Sequence, residues 1–362
     1  MKRSLFVLIL LITGCISMFV SCNVSDGPID ETLSTDAQTQ ASTEAEKSED
    51  ATVADKEPTN IPNSFFDYNL EHKIIATDSK NRKLIVFDMN KCIGERWNQL
   101  RNDDAIVWEW GEKSGISSAK YRYSQYYDRY VIIIATNSAG WCGIVDYETQ
   151  EVLWKAQANY NSHGIEMLPN GDIVVIGSEP GRILYFPLTQ NGESSNPTSQ
   201  EILLPGAHDA LYDPDRETLW VVYDHGVQGY KIDENNQLIE TLNVKFGEEE
   251  EDTWGHAIAA CYGQKGKYLV SAWKYIYVFD AENGTMERAY NALEAKGIAY
   301  FEDGTTVMTL ARVGTHSKDW LTNSFNIKTR KLKNGEEFIS ESYVSFSDRE
   351  FYKVFAMNPS YN

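Results

Sequence analysis

A repeated unit of short strands is the feature of this sequence that most limits its fold. One copy, HGIEMLPNGDIVVIGS, begins at His163, and similar copies begin at His208, His256 and Lys296, with a weaker one at Lys120. Each copy has a polar residue, an apolar strand, a tight turn and a second apolar strand, and two further strands follow it. The copies start 40 to 48 residues apart. Four strands per unit at this period are typical of the blades of a β-propeller.

The two ends of the repeated region predict how the ring closes. Five blades leave three strands before the first copy and one strand after the last: Ile74–Asp78, Leu84–Asp88, Ile106–Trp110 and Glu350–Met357. A C-terminal strand placed innermost in the N-terminal blade would leave no exposed sheet edge. We therefore predict an all-β, six-bladed β-propeller over residues 63–362, closed by N- and C-terminal strands in one blade. Seven blades are the alternative, if residues 312–348 hold a degenerate blade.

The sequence before the propeller predicts export and anchoring. Residues 1–21 have a positive start and an apolar run, as a lipoprotein signal peptide does. Residues 22–62 are acidic and contain no aromatic residue, so we predict a disordered tether. Cys22 is the predicted lipidation site because polar chain begins right after it, and Cys15 is the alternative. A cleaved signal without a lipid is a further possibility.

Charge and cysteine content narrow the classes of partner. The formal net charge is −20, which argues against nucleic-acid binding and against direct adhesion to anionic lipid. We expect a monomer on the extracytoplasmic face of the cell membrane, held there by its lipid anchor alone. The domain has three cysteines, Cys92, Cys142 and Cys261, an odd number that rules out a full disulfide framework and favours buried free thiols.

Three segments of the chain carry a family resemblance. NSHGIEMLPNGD, GAHDALYDP and GHAIA together resemble a family of secreted bacterial propellers of unknown function, over about residues 64–357. The YVFDAENG pattern, the LPNGD turn and the blade period are similar to the broad YVTN, WD40 and quinoprotein-like propeller superfamily. The resemblance implies the fold and brings no activity. Quinone-binding members would imply a catalytic calcium ion and tryptophan-docking motifs, which this sequence lacks.

The polar residues that open the innermost strands are the candidate site. Equivalent positions in successive blades are related by rotation about one axis. Lys120, His163, His208, His256 and Lys296 are therefore predicted to form an arc around one mouth of the central channel. Three of the six histidines of the chain fall in this arc.

Three interpretations of the arc are open. In the first, the lysines and partly charged imidazoles bind an anionic ligand, and Trp254, two residues before His256, stacks on it. In the second, the three histidines bind a divalent metal, the only candidate cofactor, with Tyr121 or a histidine as base. In the third, each histidine bonds backbone carbonyls and holds a turn between blades.

Neighbouring residues extend the candidate site. Asp209 is predicted to orient His208 or to bind the metal, whereas Glu166 is expected to point between blades. Trp141 and Trp320 lie in turn-rich segments and are further candidates for stacking on a sugar.

The predicted function is binding of an anionic small molecule or acidic glycan at this mouth. The alternatives are a metal-assisted lyase or hydrolase acting on an acidic polysaccharide, and a protein-interaction platform. The sequence does not decide whether the protein is an enzyme.

Overall fold

The structure, a computed structural model, describes residues 72–91, 105–137, 140–188, 200–247, 253–314, 316–333 and 336–361. The predicted signal peptide, the predicted tether and residues 63–71 lie outside these ranges, as do Cys15, Cys22 and Cys92. Within them the chain forms 24 strands in six four-stranded antiparallel sheets and one short 3-10 helix, Met89–Lys91. None of the helical structure in this part of the chain is long and apolar enough to cross a membrane.

Each sheet is one blade, and its innermost strand contacts the innermost strands of the neighbouring blades. Strands are numbered in chain order, and each blade is given from its innermost strand outwards. Blade 1 contains β24 (Phe351–Ala356), β1 (Lys73–Asp78), β2 (Lys83–Asp88) and β3 (Ile106–Gly111). Blade 2 contains β4 (Ile116–Ser124), β5 (Arg129–Thr136), β6 (Trp141–Asp146) and β7 (Val152–Gln157). Blade 3 contains β8 (Ser162–Met167), β9 (Ile173–Gly177), β10 (Arg182–Phe186) and β11 (Gln200–Leu203).

The remaining three blades follow the same order. Blade 4 contains β12 (Asp209–Asp213), β13 (Thr218–Tyr223), β14 (Gly226–Ile232) and β15 (Leu238–Lys245). Blade 5 contains β16 (Ile258–Ala260), β17 (Lys267–Ser271), β18 (Tyr275–Asp280) and β19 (Thr285–Asn291). Blade 6 contains β20 (Ala295–Tyr300), β21 (Thr306–Leu310), β22 (Ser324–Lys333) and β23 (Glu336–Ser345).

The core is divided among the blade interfaces. Six apolar clusters each lie between two neighbouring blades. Second strands such as β9, with the sequence IVVIG, are buried along their whole length because both of their faces meet a neighbouring blade. Outer strands such as β15 have mostly exposed residues. The buried area therefore sits between the blades, and the axis is left to the side chains of the innermost strands.

The closure predicted from the sequence is confirmed. The C-terminal strand β24 pairs antiparallel with β1, with Ile74 opposite Ala356 and Ile75 opposite Phe355. Residues 312–348 supply the two outer strands of blade 6, so the ring has six blades and not seven. The two cysteines in the described ranges, Cys142 and Cys261, are buried free thiols.

Candidate functional site

Three histidines from blades 3, 4 and 5 meet at one mouth of the channel. The ring centroids of His163 and His208 are 5.3 Å apart, those of His208 and His256 are 4.6 Å apart, and those of His163 and His256 are 6.2 Å apart. One ring nitrogen from each histidine belongs to a group of three atoms that all lie within 4.8 Å of one another. The structure thus brings together the three histidines that the blade period singled out.

The backbone register shows which residues are equivalent around the mouth. A β-bulge occurs at the start of the innermost strand, at Ser117 in blade 2, His163 in blade 3 and Lys296 in blade 6. The amides of His208 and His256 donate to the carbonyls of Val222 and Ser271 at the same place in blades 4 and 5. In blade 1 the irregularity spans Tyr352. The six equivalent residues are Ser117, His163, His208, His256, Lys296 and Tyr352.

This register corrects the placement of Lys120. Lys120 lies three residues beyond the bulge, inside the channel and almost fully buried. Its Nζ donates to the Ala210 carbonyl and lies 3.4 Å from Glu166 Oε2 and 3.6 Å from Asp209 Oδ1. Ser117 takes the mouth position instead, and its Oγ lies within hydrogen-bond distance of the carbonyls of Ala135 and Ser162. Blade 2 therefore contributes no cation to the histidine mouth.

Tyr352 is the site residue that sequence reasoning missed. Its Oη lies 3.0 Å from His163 Nδ1 and 3.1 Å from His256 Nε2. A phenol oxygen can accept from both rings, and each ring then keeps its other nitrogen for a ligand. The residue belongs to the last strand, so its place beside His163 becomes visible only when the ring is closed.

Hydrogen bonds leave one nitrogen on each histidine free for a ligand. His208 Nδ1 lies 2.9 Å from the Gly206 carbonyl, which can only accept, so His208 Nε2 is the free nitrogen. His256 Nδ1 is one of five buried side-chain polar atoms that have no hydrogen-bond partner within the described residues. In metal-binding histidines, a hydrogen bond to the nitrogen that does not bind the ion orients the ring.

The three imidazoles are neutral at pH 7. Burial lowers the pKa of His208 to about 4. Burial, together with the neighbouring rings and the ammonium groups of Lys296 and Lys353, also lowers the pKa values of His163 and His256 well below 6.5. The expectation of partly charged imidazoles is therefore corrected. Neutral imidazoles do not attract an anion by charge, but they are the form that binds a metal.

A buried lysine supports the histidine cluster from below. Lys353 Nζ lies 2.7 Å from the His163 carbonyl and 3.4 Å from each of the carbonyls of His208 and His256. Its other partner is Asp209, at 3.6 Å. Asp209 therefore pairs with lysines in the channel, and no hydrogen bond joins its carboxylate to His208, the residue that it was predicted to orient.

Charges of alternating sign continue down the channel. Below Asp209 come Lys120, Glu166 and Arg122, with Arg122 Nη2 at 2.9 Å from Glu166 Oε2. Their side chains are at most 5 % exposed. Glu166, which was expected to point between blades, thus contacts cations on the innermost strand of the neighbouring blade 2. Close pairing satisfies charges that would otherwise be costly to bury.

The C-terminal residues cover the opposite end of the channel. Arg122 Nη1 donates to the carbonyls of Asn358 and Ser360 at 3.2 and 3.4 Å, and its guanidinium lies 4.7 Å from the centre of the Tyr361 ring. Tyr262 Oη also donates to the Ser360 carbonyl. The histidine mouth is therefore the open end of the channel in the described part of the chain.

Two cavities adjoin the histidine cluster. The larger, of about 510 Å³, is lined by Ser79, Asn137, Asn161, His163, Glu179, His256, Lys296, Trp320 and Tyr352. The smaller, of about 210 Å³, is lined by His208, Asp224, Trp254, His256, Ala272, Trp273, Glu294, Ala295 and Lys296. His256 and Lys296 line both cavities.

The aromatic candidates separate into two groups. Trp254 and Trp320 each line one cavity and are 59 % and 52 % exposed. Trp141 is buried beneath Lys155 in blade 2, and so is not available for stacking on a sugar. Tyr121 packs against Tyr130 and Tyr147 and lines neither cavity, so the structure does not support it as a base at this site.

These features define a six-bladed β-propeller with a neutral three-histidine cluster at the open mouth of its channel. The chain belongs to a family of unknown function (DUF6528), which matches residues 45–346. No curated protein matches the sequence.

Solved structures resemble this chain at low sequence identity. A candidate 6-phosphogluconolactonase from Bacteroides uniformis is 11 % identical, with a TM-score of 0.50, and the match covers 77 % of this chain and 98 % of that one. A functionally unknown protein from Desulfotomaculum acetoxidans is 10 % identical, with a TM-score of 0.49 and coverages of 76 % and 80 %. A protein of unknown function from Bacteroides caccae is 14 % identical, with a TM-score of 0.46 and coverages of 80 % and 99 %. At these identities the likeness concerns the fold alone.

Proposed function

We propose that this protein is a lipid-anchored, extracytoplasmic propeller that binds an anionic ligand, an acidic glycan in particular, through a divalent metal ion held by His163, His208 and His256. The observation that supports the proposal is the set of three neutral imidazoles from three blades. Each ring has one nitrogen within hydrogen-bond distance of a carbonyl or of Tyr352 Oη, and its other nitrogen is available to a metal.

The spacing of the histidines suits a small metal ion after a modest closure. Zinc binds imidazole nitrogen at about 2.0–2.1 Å, which puts tetrahedral ligand atoms roughly 3.4 Å apart. The ligand atoms here lie within 4.8 Å of one another, so the side chains would close by about 1 Å. Three protein ligands leave the fourth position open for an oxygen of the bound ligand.

The charge at the mouth favours a metal as the contact to an anion. Lys296 is the one cationic side chain that lines the two cavities within the described residues, and Glu294 lies 3.9 Å from its Nζ. Glu179 and Asp224 add negative charge to the walls. With neutral imidazoles, a divalent cation is the group that would make this mouth attractive to a carboxylate.

Metal titration of the purified protein tests the proposal. After treatment with a chelator, we expect Zn²⁺ to bind with a stoichiometry of about one and to raise the melting temperature. The His208→Ala variant should bind Zn²⁺ at least 100-fold more weakly, since loss of an outer hydrogen bond alone costs about 10- to 100-fold.

His316→Ala is the matched control for this titration. His316 Nδ1 lies 3.1 Å from the Gly314 carbonyl, the same contact with the residue two positions back that His208 makes, but His316 lies outside the cluster. Its replacement should leave Zn²⁺ affinity unchanged. No zinc binding by the original protein, or equal losses in the two variants, would contradict the proposal and favour a structural cluster in which Tyr352 ties blades 1, 3 and 5 together.

A metal-assisted lyase or hydrolase is the second candidate function. Tyr352 and Lys296 line the same cavity as His163 and His256, which would place a phenol and an ammonium group beside the open metal position. Shortened or unsaturated products from polygalacturonate, formed by the zinc-loaded protein and not by His208→Ala, would favour this candidate. Unchanged polymer that nevertheless binds would favour the binding protein.

A further inference from the structure

The two cavities at the histidine mouth are adjacent and share part of one wall. Both are lined by His256 and Lys296, so these two side chains form part of the wall between them. The larger cavity also reaches His163 and Tyr352, and the smaller reaches His208. The three histidines therefore stand between two separate spaces.

Each cavity carries one exposed tryptophan. Trp320 lines the larger and Trp254 the smaller, and within the described ranges no other tryptophan is classed as exposed. Exposed tryptophan is unusual, because the ring has a large apolar face to bury. The coincidence of both exposed indoles with the two cavities indicates that they serve a ligand and not the fold.

The smaller cavity holds its tryptophan in a defined position. Trp254 has a backbone φ of +59°, a conformation that is rare for a bulky residue and persists only when its surroundings impose it. Its ring lies 5.6 Å from that of Trp273, which anchors one side of the indole. The other side remains open, since the residue is more than half exposed.

Carboxylates complete both cavities. Glu179 lines the larger, and Asp224 and Glu294 line the smaller. Carboxylate oxygens accept hydrogen bonds from hydroxyl groups, and indole faces pack on the C–H faces of sugar rings. Tryptophan beside carboxylates on each side of the centre is chemistry that suits a pyranose on each side.

We infer that the ligand is a linear acidic oligosaccharide that lies across the histidine cluster, with Trp254 and Trp320 stacking on sugar rings on its two sides. This inference rests on the proposed function for the carboxylate at the centre. It adds that affinity depends on the length of the oligosaccharide, because the two tryptophans line different cavities. The flanking rings are held by the tryptophans and carboxylates, and the central uronate lies beside Lys296.

Oligosaccharides of defined length that carry one galacturonate between neutral sugars test the inference on the zinc-loaded protein by calorimetry. For the original protein, affinity should rise with chain length until both tryptophans are covered and then level off. Trp254→Ala and Trp320→Ala should each weaken binding of long oligomers about tenfold, while galacturonate itself loses less than twofold. Tyr126→Ala, which removes an exposed aromatic residue at the opposite end of the blades, should change neither.

Zinc titration of the same variants separates this inference from the proposed function. Both tryptophan variants should bind Zn²⁺ as the original protein does, since neither ring is a ligand. If the original protein binds no zinc, the metal proposal fails, but length-dependent binding that needs both tryptophans would still support the inference. Affinity independent of length, equal losses for monomer and oligomer, or no binding of any oligomer by the zinc-loaded protein would overturn it.

Discussion

Replacement of Lys353 by methionine probes how the histidine cluster is supported. Lys353 is fully buried, its Nζ contacts the carbonyls of all three cluster histidines, and its paired carboxylate is that of Asp209. Methionine is close in volume and length but has no charge and no donor. Lys353→Met therefore removes the ammonium group while it keeps most of the packing.

The contacts set the magnitude of the effect. Removal of one partner of a buried ion pair costs about 3–5 kcal/mol. Asp209 keeps Lys120 at 3.6 Å and the amides of Ala210 and Ile258 at 2.9 and 3.4 Å, which places the loss in the lower part of that range. The three histidine carbonyls also lose a donor. We expect the free energy of unfolding to fall by about 3 kcal/mol.

Urea unfolding followed by tryptophan fluorescence measures this change, with Asp209→Asn and the double variant completing a cycle. The two single losses should sum to more than the loss in the double variant, by about 1.5 kcal/mol or more, because each leaves a buried charge without its partner. Lys353→Met should also weaken Zn²⁺ binding, since the backbone of the three ligands is no longer held. A loss below about 1 kcal/mol, or additive single effects, would refute the buried pair as a support of the site.

Three further predictions concern acid stability, ring closure and anchoring. Unfolded histidine binds its proton near pH 6.5 and folded His208 only near pH 4, so the metal-free protein should lose stability as the pH falls between these values, by up to about 3 kcal/mol from His208 alone. The urea midpoint of His208→Ala should depend less on pH in this range, and an equal dependence would contradict the assignment. Deletion of residues 350–362 removes β24 and should abolish the cooperative thermal transition, whereas an unchanged transition would refute the closure. Cys22→Ala should release the protein from the membrane fraction and Cys15→Ala should not, and the reverse result would move the lipid to Cys15.

The fold was predictable because its signals are local. Each blade repeats short apolar strands and a turn within 40 to 48 residues, and the count of six follows from three strands at one end and one at the other. The same period identified His163, His208 and His256, since a residue that recurs at one place in successive blades must recur around the axis.

The errors at the site have a physical cause in the backbone register. With nine residues, β4 is the longest of the innermost strands, and side-chain pattern alone does not reveal which of its residues lies at the mouth. Lys120 was therefore aligned with the histidines although it lies three residues deeper. Tyr352 sits at the equivalent place in blade 1, but its neighbour His163 is 189 residues away in the chain. Only the closed ring brings the two together.

The buried charges below the histidines explain why the site has one open side. Single charges within otherwise apolar strands gain partners only when innermost strands from different blades meet on the axis. Glu166 pairs with Arg122 from blade 2, and Asp209 pairs with Lys353 from blade 1. These side chains occupy the channel, and the gap of about 20 Å³ beside Arg122 has room for about one water molecule. A ligand of the histidine cluster must therefore approach from the mouth that Trp254 and Trp320 flank, which is where a polymer in solution can lie across it.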